Sequence, residues 1–309
     1  MPLLFYSEPD DPVPWIEALG EHLPDLEVRV WPEIGNPDDI EFALVWQPPR
    51  GLLAALPHLQ AILSLGAGVE HILADPDIPR NVPLVRLVDP GLTTGMTEFV
   101  VMRVLHYHRR MPEYEAQQRD RVWQLLPQTH PSDRRVGILG LGELGSAASR
   151  ALAGFGFDLA GWSRSAKSID GVATLQGEDG LFAVLERSEI LVCLLPLTRE
   201  TEGILDATTL GALPQGAHLI NVARGAHVVD NDLLSLLDAG HISGATLDVF
   251  RNEPLPDDHP YWTYPQVMVM PHASAWTLPK TAASTVADNI RRQRSGEPMT
   301  HVVNPEQGY

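Results

Sequence analysis

The sequence predicts an α/β protein with two doubly wound parallel-sheet domains, and three observations carry that expectation. Five short apolar runs separated by turn-forming clusters and helical stretches fill roughly the first hundred residues. A second series of six runs follows a long helical stretch. A chain of 309 residues, at roughly 100–200 residues per domain, holds about two domains, each large enough for its own core.

Taken in order, the first series is LLFYS, EVRVW, FALVW, AILSLGAG and VPLVRL, with helical stretches at Trp15 to His22 and Leu52 to Leu56. A long helix is expected from Thr97, a plausible N-cap followed by Glu98, through Gln118, with Phe99, Val100, Met102, Arg103, Leu105 and His106 close to helical spacing. The second series is RRVGILG, DLAGW, EILVCLLP, AHLINVA, GATLDVF and VMVMPH, which fits a six-stranded sheet. Residues 278–294 read as a helix, and MTHVVNPEQGY as an irregular tail returning to the first domain. The expected division is residues 1–96 completed by 276–309, and residues 97–275.

Composition excludes several function classes. Lys and Arg number 22 against 40 Asp and Glu, a net charge of −18 with the basic residues dispersed, which argues against nucleic acid or an anionic membrane as partner. Cys193, the single cysteine, lies in an apolar run, so neither a disulfide framework nor a thiolate metal site is expected. No run approaches the roughly 18 apolar residues of a membrane span, and no basic stretch precedes the first apolar one, so a cytoplasmic protein is expected.

Gly140, Gly142 and Gly145 form G-L-G-E-L-G directly between the strand-like VGIL and the helical SAASRALAGFG. In that context the first glycine allows the tight turn, the second the close approach of backbone to a pyrophosphate, and the third the packing of helix on strand. The second domain is therefore expected to be a Rossmann dinucleotide-binding domain, with an S-adenosylmethionine site as the rival. An NAD site usually carries Asp or Glu about 20 residues on, at the end of the second strand. Here that strand, DLAGW, leads into Ser163, Arg164 and Ser165, with Lys167 close behind. Hydroxyls and cations suit a 2′-phosphate, so NADP is favoured over NAD.

Three stretches then place a chemical group just after an apolar strand, where open α/β sheets build their sites: Arg224 in NVARG, Glu253 in DVFRNEPLP and His272 in VMVMPHASAW. With the glycine turn, LLPLTRETEGILD, NVARGAHVVDNDLLSLLDAGHISGATLDVF, NEPLP and PHASA, the chain resembles the D-isomer-specific 2-hydroxyacid dehydrogenase family over roughly residues 137 to 275. The first domain matches mainly through its general plan and LSLGAGVEHI. Within the family the chain is most similar to the short glyoxylate/hydroxypyruvate reductases, which share a WQPP-like loop, here around Trp46.

The resemblance implies a flavodoxin-like substrate domain before the Rossmann domain. It also implies reduction of small 2-oxoacids by NADPH, with NAD possible. His272 is then the general acid and base, Glu253 orients the imidazole, and Arg224 binds the substrate carboxylate and polarises the ketone. Cofactor contacts would extend to Glu143, Leu144, Leu195, Pro196, Val222, Ala223, Asp248 and His272. Ala67 and Gly68, in the loop from Leu65 to Val69, would meet the carboxylate through backbone amides, and Trp46 and Trp276 would close the pocket. Arg50 and Arg86 are the basic residues near these first-domain loops, too few for a dedicated phosphate pocket. Arg119 to Pro127, with Trp123, stands where family members exchange an arm, so a homodimer is expected. Another 2-oxoacid, such as a phosphoglycerate-type or branched substrate, and a dinucleotide-sensing binding protein are the alternatives.

Overall fold

The structure, a computed structural model, describes residues 2–304. It divides into one unit formed by the chain up to Leu92 and from Trp276 onward, and a second formed by Thr93–Ala275.

In the first unit five parallel strands, β1 (Pro2–Tyr6), β2 (Glu27–Val30), β3 (Phe42–Val45), β4 (Ala61–Ser64) and β5 (Leu84–Val85), lie in the order β2-β1-β3-β4-β5. This is the flavodoxin-like order, whose switch point lies between β1 and β3. Alternate residues face opposite cores. Leu3, Phe5, Phe42, Leu44, Ala61 and Leu63 pack with Trp15 and Leu19 of the helix Pro12–His22 and with Ala283, Val286 and Ile290 of the helix Pro279–Ser295. Leu4, Ala43, Val45 and Ile62 pack on the other face with Leu53, Leu56 and Ile72. The backbone from His301 to Val303 returns to β5, with Val303 N–H donating to the Leu84 carbonyl at 2.8 Å. Residues 305–309 of the expected tail lie outside the described residues.

In the second unit seven parallel strands, β6 (Arg135–Leu139), β7 (Asp158–Trp162), β8 (Val172–Leu175), β9 (Ile190–Cys193), β10 (Ala217–Asn221), β11 (Ile242–Leu247) and β12 (Val267–Val269), lie in the order β12-β11-β10-β9-β6-β7-β8. The order reverses between β6 and β9, the position at which such sheets bind ligands. Val136, Ile138, Ile190, Val192 and Ile220 face one core, and Leu139, Leu191, Cys193 and Leu219 the other. Burial pushes the Cys193 thiol up to about 12, so it is an inert core residue.

Four expectations need correction. The sheet has a seventh strand, β8, because VATL is a partly exposed edge strand without a full apolar run. The stretch Leu52 to Leu56 forms only the 3₁₀ turn Leu53–Ala55, since Pro57 disfavours helical backbone at the residue before it. The long helix begins at Pro90 rather than Thr97, started by a proline whose missing N–H costs nothing there and by the Asp89 carboxylate, which accepts from Leu92 N–H at 2.8 Å. Thr97 instead lies inside that helix, its hydroxyl donating to the Thr93 carbonyl. That helix stops at His108, and Met111–Asp120 is a separate one. Arg110 takes a left-handed φ of 60°, and Pro112 can neither donate to His108 nor avoid its carbonyl.

Among the described residues no helix is long and apolar enough to cross a membrane, and no group of three or more His, Cys, Asp or Glu side chains is placed to hold a metal ion.

Candidate active site

The glycine turn sits at the switch point of the second unit. Gly140 has φ 98°, and a side chain there would press on the Leu194 carbonyl oxygen at 2.6 Å and the Leu195 nitrogen at 2.9 Å, so the loops after β6 and β9 approach closely only with glycine at this position. Gly145 lies against the Gly140 carbonyl, where a Cβ would not fit. Gly142 differs. A Cβ there would meet nothing and would only fill the space before the helix Glu143–Ala153, whose N-terminus carries no side-chain cap. Amides at an uncapped N-terminus, with the helix dipole behind them, suit a pyrophosphate.

After β7 the chain turns through Ser163 to Lys167 with no carboxylate among them. Ser163 is buried and its hydroxyl donates to the Ser165 carbonyl at 2.7 Å, so it shapes the turn. Arg164, Ser165 and Lys167 are exposed, and Thr174 anchors the turn by donating to the Lys167 carbonyl at 2.6 Å. Leu195, Val222 and Ala223 are buried in the cores, and what such residues can present at the strand ends is backbone.

Three strand ends converge on the reactive groups. His272 Nδ1 lies 2.9 Å from Glu253 Oε2, while Glu253 Oε1 accepts the Phe250 amide at 2.9 Å. Burial pushes the Glu253 carboxyl up, but the bonds from His272 and Phe250, with the charges of His272 and Arg224, outweigh it and hold the group below its ordinary value. Arg224 rises from a turn closed on itself: Asn221 Nδ2 donates to the Arg224 carbonyl at 2.9 Å, the Ala223 amide donates to Asn221 Oδ1 at 3.2 Å, and Arg224 Nη1 donates to the Ala223 carbonyl at 2.6 Å. Gly225 lies flat on the backbone of Phe250 and Arg251, leaving no room for a Cβ.

His272 takes φ 54°, a left-handed conformation that costs a non-glycine residue on the order of 1 kcal/mol. Asp248 holds it there. Its backbone carbonyl accepts the His272 amide at 2.8 Å, and its two carboxylate oxygens accept the amides of Ala273 and Ser274 at 2.7 and 3.0 Å. Asp248 was expected among the cofactor contacts. It is fully buried at the end of β11 with both oxygens committed to the His272 loop, so its task in this structure is to set that loop.

In the first unit Trp46 follows β3 at the switch point, and its ring covers Gly66, where a Cβ would strike it. The ring also packs on His71, with centroids 4.3 Å apart. The loop from Leu65 to Val69 is shaped by Ser64, whose hydroxyl accepts the Gly66 amide at 3.2 Å and donates to the Gly68 carbonyl at 3.4 Å. Trp276 is half exposed, and its neighbour Thr277 donates to the Leu65 carbonyl at 2.9 Å. Arg50 is exposed and pairs with Asp77 at 3.5 Å.

Ser64, His71, Asn221 and Thr277 were not anticipated. The first and third end their strands, where a polar residue after an apolar run is a readable signal, whereas His71 and Thr277 meet their partners only through folding.

Residues 101–274 match the D-isomer specific 2-hydroxyacid dehydrogenase NAD-binding domain. Glyoxylate/hydroxypyruvate reductase A of Photorhabdus laumondii is 43% identical, with all of both chains covered. A dehydrogenase of Xanthobacter autotrophicus Py2, solved with NADPH and MES, superposes with a TM-score of 0.96 at 43% identity over 99% of each chain. The NADPH-dependent glyoxylate/hydroxypyruvate reductase of Sinorhizobium meliloti, solved with NADP and sulfate, gives 0.94 at 39% identity over 100% of this chain and 99% of that one. With a sheet reversed at a glycine turn, and arginine, glutamate and histidine at its strand ends, the chain belongs to the D-isomer specific 2-hydroxyacid dehydrogenase family.

Proposed function

We propose that this enzyme reduces glyoxylate and hydroxypyruvate, with NADPH as the preferred cofactor. The observation that carries the reading is the Glu253–His272 pair at 2.9 Å, with the Arg224 charge reaching the same carboxylate. Gly140, Gly142 and Gly145, with Glu143 and Leu144, would hold the pyrophosphate at the helix N-terminus. Arg164 and Lys167 would hold the 2′-phosphate, and the backbone of Leu195, Pro196, Val222 and Ala223 would line the site. NADPH supplies the hydride when bound.

The chain's own residues supply the rest. Nδ1 of His272 faces Glu253, so Nε2 is the nitrogen that gives a proton to the developing alkoxide, or takes it in the reverse direction. Glu253 fixes the ring plane of the imidazole. Arg224 pairs with the substrate carboxylate and strengthens its hold as negative charge grows on the carbonyl oxygen. We further infer a homodimer, supported by Trp123 and Leu125, which are 103% and 87% exposed on the stretch after the helix Met111–Asp120.

The test follows NADPH and NADH oxidation with glyoxylate, hydroxypyruvate, pyruvate and 3-phosphohydroxypyruvate. The expected result is NADPH-dependent turnover of the first two, with His272→Ala lowering kcat by about 10²–10⁴-fold. Preference for another 2-oxoacid overturns the substrate, and binding of NADPH without turnover of any of the four overturns the enzyme reading.

A further inference from the structure

Behind Arg224, in the short turn Gly225–His227, the fully buried His227 addresses two backbone carbonyls with one ring. Nδ1 lies 3.1 Å from the carbonyl oxygen of Arg224, and Nε2 lies 3.3 Å from that of Pro196. The two carbonyls belong to loops that follow different strands, β10 and β9. Each has other donors, Asn221 Nδ2 at 2.9 Å and the His227 backbone amide at 3.3 Å for Arg224, and Thr201 Oγ1 at 2.6 Å for Pro196. The backbone beside the ring is pinned as well, for the Leu205 amide donates to the His227 carbonyl and the Gly203 amide to that of Ala226, both at 2.9 Å.

A carbonyl only accepts, so a ring nitrogen facing one bonds it only when protonated, and a neutral imidazole has a single N–H. The shorter contact belongs to Nδ1, so an N–H at that nitrogen is the one aimed at the Arg224 carbonyl. That carbonyl closes the turn from Asn221 to Arg224 described above. That carbonyl belongs to the Arg224–Gly225 peptide, so holding it fixes ψ of Arg224 at the Cα that carries the guanidinium, which is itself anchored on the Ala223 carbonyl. Pairing a planar guanidinium with a carboxylate depends steeply on direction.

We propose that His227 is a positioning residue that aims the Arg224 guanidinium at the 2-oxoacid carboxylate by holding the Arg224 carbonyl through Nδ1–H. The inference rests on the reading that Arg224 binds that carboxylate. An ordinary core histidine would affect stability alone, whereas this one affects KM for the 2-oxoacid and not KM for NADPH.

The experiment compares His227→Asn, His227→Gln, His227→Ala and Arg224→Ala under saturating NADPH, with thermal midpoints measured alongside. An asparagine amide nitrogen falls near Nδ1 and a glutamine one near Nε2. His227→Gln and His227→Ala are expected to raise KM for glyoxylate and hydroxypyruvate by about tenfold or more, as a misdirected binding group does, with KM for NADPH unchanged and most of the loss recovered in His227→Asn. Nitrogen-15 NMR of the histidine-labelled wild-type holoenzyme reads the tautomer directly and should show His227 protonated at Nδ1. Wild-type 2-oxoacid KM in all three His227 variants, while Arg224→Ala raises it, overturns the proposal alone. So does an Nε2–H tautomer, or a loss in His227→Asn equal to that in His227→Gln. Wild-type KM in Arg224→Ala overturns the reading beneath it as well.

Discussion

The Glu253 carboxylate is pulled in two directions, raised by burial and lowered further by its bonds and by two nearby positive charges. Because the result lies below the ordinary value, Glu253 stays ionised across the neutral range. Its contribution to stability is present above the unfolded carboxylate value and lost as pH falls through the lower folded one. Replacing it with glutamine keeps the shape and removes the negative charge facing the imidazole. In Glu253→Gln the rate of 2-oxoacid reduction is expected to fall; an unchanged rate would count against the orienting role. Arg164 is the residue at which cofactor choice is tested. Losing one charge-assisted bond to a phosphate costs about 1.5–3 kcal/mol, so Arg164→Ala should raise KM for NADPH by roughly 10–150-fold while leaving KM for NADH nearly unchanged.

At the scale of elements, apolar runs located the strands well because a parallel strand covered on both faces is apolar throughout, as in β3 and β9. Where that reason fails, so did the reading, as at the edge strand β8. Helix ends depended on groups outside the periodic pattern, namely Pro90, Asp89 and Pro112. One element carries a pH dependence. His218 on β10 packs on Tyr107, with ring centroids 4.2 Å apart. Burial pushes its imidazole down to about 4, with Arg134, His106 and Arg103 adding repulsion against the pull of Glu113. The unfolded chain therefore binds a proton that the folded one refuses, and stability falls as pH drops from about 6.5 toward 4, by up to roughly 3 kcal/mol. Denaturant titrations at pH 7 and pH 4.5 should show a smaller acid loss in His218→Phe than in the wild type; equal losses would place the acid sensitivity elsewhere.

For the whole molecule, each unit repeats one design, a parallel sheet with an apolar core on either face and a reversal of strand order within it. Trp123 is fully exposed, and it is the residue at which the proposed homodimer is tested. Sedimentation should find a dimer, and Trp123→Ala should weaken it or alter KM for the 2-oxoacid. A monomeric wild type would overturn the homodimer, and a dimer with unchanged kinetics would confine Trp123 to no part in catalysis.

The order of apolar runs, the glycine spacing from Gly140 to Gly145, and a charged or titratable residue after each of three strands were legible in the chain, because period, turn chemistry and strand-end placement are local properties. Local pattern could not show that Asp248 turns both oxygens on the His272 loop, that Ser163 bonds its own turn, or that His227 reaches Pro196, 31 positions away. Those bonds join segments far apart in sequence or depend on the direction of a single side chain. They exist only once packing has excluded water and each buried polar group must find a partner inside the protein.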